Sequence, residues 1–274
     1  MKILIAADME GITGVVNWNQ VDPDHSEYTR FRRIMTAEVN AAVRGAFEGG
    51  ASEVVVADGH ASGFNLLIEE LDDRARLNSG NVAPLGMVQG IASDVKGVIF
   101  VGYHARAGTP QGVLDHTWSS AAIAGVWLND VLVGETGLNA AMCGHYGAPV
   151  IMITGDQAVC AEASELLGAL EMVVVKHATS RFSAESLPAQ LAREIIKGTA
   201  TRAVQRLSAG DAPAPYCPPA PLDVTLQFAQ SDMADKALRL PGVTRLDGRR
   251  VAFMAPDMPA AYATFRAAAV LAKA

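Results

Sequence analysis

Lys2-Ile3-Leu4-Ile5-Ala6-Ala7-Asp8-Met9-Glu10 opens the chain, and its reading decides the fold. The run is apolar without alternation until it meets two carboxylates. That is the pattern of a strand covered on both faces and ending at a polar edge. Working outward, residues 36–47 carry a helical pattern, with Thr36 as N-cap and Glu38 in the first turn, and Gly49-Gly50 closes it. Residues 53–57 and 97–102 repeat the buried-strand pattern. Residues 125–128 and 131–134 read as a hairpin around Asn129-Asp130. Residues 138–146 and 157–167 are expected helices, and 149–154 and 172–176 expected strands. Repeated β–α alternation argues for a mainly parallel sheet with helices on its faces.

A helical run over residues 187–207 leads to a segment with five prolines in ten residues, Pro213, Pro215, Pro218, Pro219 and Pro221. Proline fixes φ and lacks a donor, so residues 212–221 form a stiff connector. Beyond it come a strand (223–228), a helix (233–240), a strand pair (243–246 and 250–254) around Asp247-Gly248, and a final helix (258–273). The expected class is α/β: a mainly parallel sheet flanked by helices, with a smaller C-terminal α+β unit. The expected units are residues 1–180 for the α/β domain, 181–221 for the helix and connector, and 222–274 for the small unit packed on the first.

Of the 274 residues, 50% are hydrophobic and 19% charged, with 22 basic against 29 acidic side chains and a net charge of −7. The charged share is below the roughly 25% usual for soluble domains. Such a chain buries a large core, which excludes general disorder. The acidic balance excludes a general nucleic-acid binder, which shows a basic face. No run approaches the roughly 20 apolar residues of a membrane span. The N-terminus lacks a signal-peptide plan, and Cys143, Cys160 and Cys217 are too scattered for a disulfide framework. The chain reads as cytoplasmic.

In open parallel sheets, ligands bind outside the carboxyl ends of the strands. Here the first strand ends in Asp8-Met9-Glu10, the second runs into Asp58-Gly59-His60, the third into Gly102-Tyr103-His104, and the hairpin into Gly134-Glu135. Asp8 and Glu10, two residues apart on an extended chain, share a face. Taken singly, each of these residues is an ordinary cap or a solvated loop side chain; only the set suggests a metal. Two imidazoles and three carboxylates exceed the three protein ligands of one catalytic zinc. They suit two metals about 3.5–4 Å apart with a bridging carboxylate. Mixed nitrogen and oxygen donors fit zinc, and also manganese or iron.

The glycine-rich stretch 102–117 has the composition of a site-lining loop and carries His116, whose ordinary pKa near neutrality suits acid–base or nucleophilic work. Hydrogen bonding to Asp115 is its plainer role. His25 reads as solvated, His145 as structural, and His177 as a weaker candidate at a strand end after Lys176. Asp156 reads as a helix cap. There is no Walker loop, dinucleotide fingerprint or Gly-x-Ser-x-Gly elbow.

Four motifs carry a resemblance: Asp8-Met9-Glu10-Gly11-Ile12-Thr13-Gly14, Asp58-Gly59-His60, Gly102-Tyr103-His104-Ala105-Arg106-Ala107 and Val133-Gly134-Glu135-Thr136-Gly137-Leu138-Asn139-Ala140. In order and separation they resemble the D-aminopeptidase family, peptidase family M55 of DppA-type zinc aminopeptidases, nearly end to end. The resemblance implies two zinc ions per subunit held by Asp8, Glu10, His60, His104 and Glu135, with Asp8 bridging, and His116 as the catalytic residue. It implies a substrate with a free N-terminal D-residue such as D-Ala, or glycine, and a ring-like homo-oligomer, a decamer. The loop before His116 is one residue longer than the family pattern, around Gln111-Gly112, and Asp115 replaces a small residue. Two other readings compete: a dinuclear metal phosphoesterase, and a non-catalytic dipeptide-binding protein. The high apolar and low charged content suits burial of surface between like subunits.

Overall fold

The computed structural model describes residues 1–80 and 83–274. Along the chain run β1 (Lys2–Ala7), α1 (Tyr28–Glu48), β2 (Glu53–Asp58), β3 (Ala75–Asn78), β4 (Val95–Val101), β5 (Ile123–Leu128), β6 (Val131–Val133), α2 (Glu135–His145), β7 (Val150–Asp156) and α3 (Gln157–Leu167). They are followed by β8 (Glu171–Ser180), β9 (Ser183–Ser186), α4 (Ala189–Ser208), β10 (Leu222–Phe228), α5 (Ser231–Ala237), β11 (Thr244–Arg245), β12 (Arg250–Ala255) and α6 (Met258–Lys273). The α/β class expected from β1 is the class observed.

The first sheet has the order β3-β2-β1-β4-β7-β8-β9 and is parallel except for the terminal β8–β9 hairpin. Its interior strand β1 is buried on both faces. Ile3 and Ile5 pack with Val54, Val56 and Ile99 under helices α1 and α4. Leu4 and Ala6 point the other way, with Val55 and Phe100, toward α2, α3 and α6. This two-sided burial, roughly 1.5–3 kcal/mol for each large aliphatic side chain, is why the strand reads as continuous rather than alternating.

The second sheet is antiparallel, in the order β11-β12-β10-β5-β6. It covers α2 and α6 from outside, and Val126, Leu128, Leu226 and Phe253 complete the same core. The C-terminal strands therefore extend a sheet begun by the β5–β6 hairpin. Asn129 and Asp130 both have positive φ, 48° and 68°, the backbone a tight type I′ hairpin requires.

Helix α1 starts two turns before the expected Thr36, because Tyr28, Phe31 and Met35 continue its buried stripe. Thr36 is no cap: its hydroxyl donates to the Arg32 carbonyl and accepts from Leu67 N.

Register sets the site. Ala7 pairs with Asp58 on one side and Val101 on the other. The exits of β1, β2 and β4 are therefore level.

Candidate metal centre

At that level edge the chain turns sharply. Gly11 N donates to the Gly102 carbonyl at 2.7 Å, and a Cβ at Gly11 would overlap the Tyr103 carbonyl oxygen. Asp8 and Glu10 converge through this turn, not through the extended geometry expected of residues i and i+2. His60 follows β2, held by a brace: Asp58 accepts from the backbone and side chain of Asn65, and Asn65 donates to the His60 carbonyl. His104 follows β4. Glu135 opens α2, delivered by the β5–β6 hairpin. His116 lies on the loop between β4 and β5, its backbone N on the Ala105 carbonyl.

All six side chains meet. His60 Nδ1 lies 3.3 Å from Asp8 Oδ1 and 3.1 Å from Glu10 Oε2. His104 Nε2 lies 3.4 Å from Asp8 Oδ2 and 3.2 Å from Glu135 Oε1. His116 Nε2 is 3.7 Å from the same Glu135 oxygen. The donor atoms of Asp8, Glu10 and His104 lie within 4.8 Å of one another, as do those of His104, His116 and Glu135. Asp8, Glu10, His60, His104 and Glu135 are buried.

The outward nitrogens explain how the rings are aimed. His60 Nε2 meets the Val21 carbonyl at 2.8 Å, His104 Nδ1 the Ala105 carbonyl at 3.0 Å, and His116 Nδ1 the Leu114 carbonyl at 2.9 Å. A carbonyl only accepts, so each of these nitrogens carries the hydrogen. In the neutral rings the inward nitrogen is a lone pair, and it faces carboxylate oxygens. Asp8 Oδ2, Glu10 Oε2 and His104 Nε2 accordingly are buried without a hydrogen-bond partner among the described residues. Lone pairs facing lone pairs in a buried cluster require a cation or protons between them. The residues fit a metal.

The electrostatics of the side chains agree. Burial, with Glu10 adding to it, pushes Asp8 up to about 7. Burial also raises Glu10, but His60 outweighs it and holds Glu10 well below the usual carboxylate range. His60 and His104 are penalised by burial, yet Glu10 and Glu135 raise them well above an ordinary imidazole. Burial, then His104, drives His116 down. The carboxylates thus favour positive charge at the two central imidazoles, the place a divalent ion would take.

Other candidates lie elsewhere. His177 is exposed, and so is His145 at the end of α2. His25 pairs with Asp22 at 3.8 Å. Asp156 caps α3 as expected and also accepts from Val113 N.

Three contributors had no signal of function in the sequence. Lys176, fully buried on β8, donates to the carbonyls of Glu10, Ile12 and Val15 and so fixes the turn that carries Glu10. Trp118 N donates to Glu135 Oε1 at 2.7 Å. Arg181 Nε pairs with Asp115 Oδ1 at 2.7 Å, while Asp115 Oδ2 accepts from Gly108 N, clamping the loop beside His116. The site opens into a cleft of about 810 Å³, with Trp18, Trp118 and Arg266 among its walls.

An α/β scaffold that gathers carboxylates and imidazoles at its strand ends has the build of a metallohydrolase. Comparison with known proteins narrows this class. A family model described as D-aminopeptidase matches residues 1–267. A D-aminopeptidase of Bacillus subtilis (strain 168) is 39% identical over 267 residues, 96% of this chain and 94% of the relative. The solved structure of the Zn-dependent D-aminopeptidase DppA from Bacillus subtilis, described as a self-compartmentalizing protease, superposes with a TM-score of 0.96 at 36% identity, covering 100% of this chain and 98% of that one. The chain belongs to the D-aminopeptidase family and is a peptide hydrolase. That membership favours neither the phosphoesterase nor the non-catalytic dipeptide-binding reading.

Proposed function

We propose that this protein is a dinuclear zinc aminopeptidase that acts on short peptides or amides with a free N-terminal D-residue, D-Ala among them, or glycine. Asp8, Glu10 and His60 would hold one ion; Asp8, His104 and Glu135 would hold the other. The observation that carries this reading is the split aim of Asp8: Oδ1 faces His60 and Oδ2 faces His104. One carboxylate thereby addresses both halves of the cluster, as a bridging ligand does. When bound there, zinc polarises a carbonyl and lowers the pKa of water.

The chain's own residues do the rest. The substrate's free amino group would sit at the metal-bearing end of the cleft, beside Asp8, Glu10 and Glu135. His116, its Nδ1–H tied to Leu114, presents an unprotonated Nε2 beside Glu135. It either attacks the scissile carbonyl carbon, so that the C–N bond breaks, the amine leaves with a proton from water and the acyl-imidazole is hydrolysed by a second water, or takes up a proton at Nε2 from the attacking water and delivers it to the leaving amine. Trp18, edge-on to His116 at 5.3 Å, restricts water on that side.

We further propose a homo-oligomer, a decamer, as the assembly. The relative's self-compartmentalizing character supports self-association, as do exposed Phe64, Ile68 and Phe182. We place the enzyme in the cytoplasm, because its three cysteines are free thiols; among the described residues no helix is long and apolar enough to cross a membrane. The test is hydrolysis of a matched panel of D- and L-aminoacyl peptides, with zinc measured and a chelator control. Chelator-sensitive cleavage of the D-series supports the reading; chelator-insensitive cleavage, or none, refutes it.

A further inference from the structure

The cleft has two chemically unlike ends. One end holds Asp8, Glu10 and Glu135; the other wall, from α6, presents Arg266 and the exposed Lys273. Arg266 is the better built of the two. Its Nη1 donates to the carbonyls of Ala83 and Pro84, which fix the group in place. Its guanidinium carbon sits 5.8 Å from the Trp118 ring centre and 5.7 Å from that of Tyr262. Among the described residues no carboxylate pairs with it, in a chain where acids outnumber bases. Asp22, on another wall, faces His25.

Trp118 ties this cation to the reacting end. Its backbone N is bonded to Glu135, and its ring supports Arg266. The ring is held edge-on by Tyr262 at 5.8 Å and Phe265 at 5.4 Å, and Trp118 has a left-handed backbone, φ 62°. Such a conformation is costly for a large side chain, so the residue is over-determined by its surroundings. Trp118 thus touches both the carboxylate cluster and the guanidinium. An extended peptide of two or three residues, roughly 7–10 Å long, has the reach to run past one such residue.

We propose that Arg266 is a specificity determinant that binds the C-terminal carboxylate of a di- or tripeptide whose free amino group lies at the Asp8–Glu135 cluster. This rests on the aminopeptidase reading and sharpens it. The enzyme measures its substrate from both termini, and peptides with a free carboxylate are preferred over the same peptides as C-terminal amides. The planar guanidinium suits a carboxylate. Longer peptides place their carboxylate beyond Arg266 and lose the contact.

The test uses D-Ala-D-Ala and D-Ala-D-Ala-amide with the zinc-loaded full-length enzyme, its Arg266→Met variant and its Arg266→Lys variant. The acid is expected to show about a tenfold lower KM than the amide. That ratio is expected to approach one in Arg266→Met, and to fall between the two in Arg266→Lys. Equal KM values in the unaltered enzyme, or a ratio unchanged in Arg266→Met, would overturn the proposal. Comparing the two probes within one variant separates charge recognition from any general loss of folding. Binding of both probes to zinc-loaded His116→Ala is measured by calorimetry in parallel, with and without Arg266→Met. Lack of turnover then counts against the reaction, while the acid-to-amide ratio of Kd still decides the role of Arg266.

Discussion

The imidazoles of His104 and His116 lie face to face, their centres 3.9 Å apart and their planes 12° from parallel. His104 points at Asp8 and Glu135, whereas His116 reaches only Glu135, at 3.7 Å. One ring is thus embedded among the carboxylates and the other stacks on it, with its side chain 11% exposed to the cleft. His116→Ala is expected to keep zinc bound and to lose turnover by about 10²–10⁴-fold. Zinc by elemental analysis alongside kcat checks this. Loss of zinc would make His116 a ligand, and retained kcat would remove it from the chemistry.

His60→Ala and His104→Ala are expected to lower zinc content. Each removes an inward nitrogen whose direction is fixed from the far side of the ring, where the other nitrogen meets the carbonyl of Val21 or Ala105. Undiminished zinc in either variant would refute its assignment as a ligand.

Lys176→Met is expected to leave the carbonyls of Glu10, Ile12 and Val15 buried without their donor. Unsatisfied acceptors cost about 1–3 kcal/mol each before the turn relaxes, so a loss of about 3 kcal/mol is expected. Chemical denaturation measures it. Zinc affinity should fall as well, because the turn carries Glu10. An unchanged midpoint would show that the buried ammonium does not hold the turn.

Asp115 and Arg181 form a clamp on the loop that carries His116, with Arg181 also stacked 5.9 Å from the Trp18 ring. The pair is partly exposed, so its effect on stability is small. Its effect on His116 is larger: Arg181→Ala is expected to lower kcat about 5- to 10-fold with zinc content unchanged, as misplacement of a reacting group does. A double-mutant cycle with Asp115→Ala should show coupling. Additive losses would separate the two residues.

Glu38 provides a pH test. Burial raises its carboxyl to about 7, and Oε2 has no hydrogen-bond partner among the described residues. A folded pKa above the unfolded one means that the folded state binds the extra proton, so stability falls as pH rises from about 4.5 to about 7. Glu38→Gln, which can keep a carbonyl for Thr13 N, removes that loss. Its advantage should be absent near pH 4 and reach on the order of 2 kcal/mol above pH 7. Parallel melting curves at both pH values check this; an advantage at the acid end alone would reverse the sign.

The strand ends were legible in the sequence for a simple reason. Parallel strands level their carboxyl ends, so Asp8, His60 and His104 could be read from where apolar runs stop, and Glu135 from the end of a hairpin. Local pattern also marked His116 and the Asp156 cap. The remaining features depend on contacts distant in sequence. β5 pairs with β10 across nearly a hundred residues, and nothing in residues 123–128 announces that partner. Short β3 is half-buried and lacks a buried-strand pattern. Lys176 resembles any lysine at a strand end until the turn at residues 10–15 closes over it. Trp118 and Arg266 acquire meaning only when α6 packs beside the loop after β4. Thr36 looked like a helix start, because its hydroxyl contact with the preceding turn is invisible in a linear reading.

Titration of metal-free protein with zinc, following cleavage of D-Ala-D-Ala, tests the central claim most directly. A dinuclear site bridged by Asp8 predicts activity that levels off at two equivalents of zinc per subunit, with protons released on binding as His60 and His104 give up theirs. Full activity at one equivalent, or activity that persists without zinc, would contradict it.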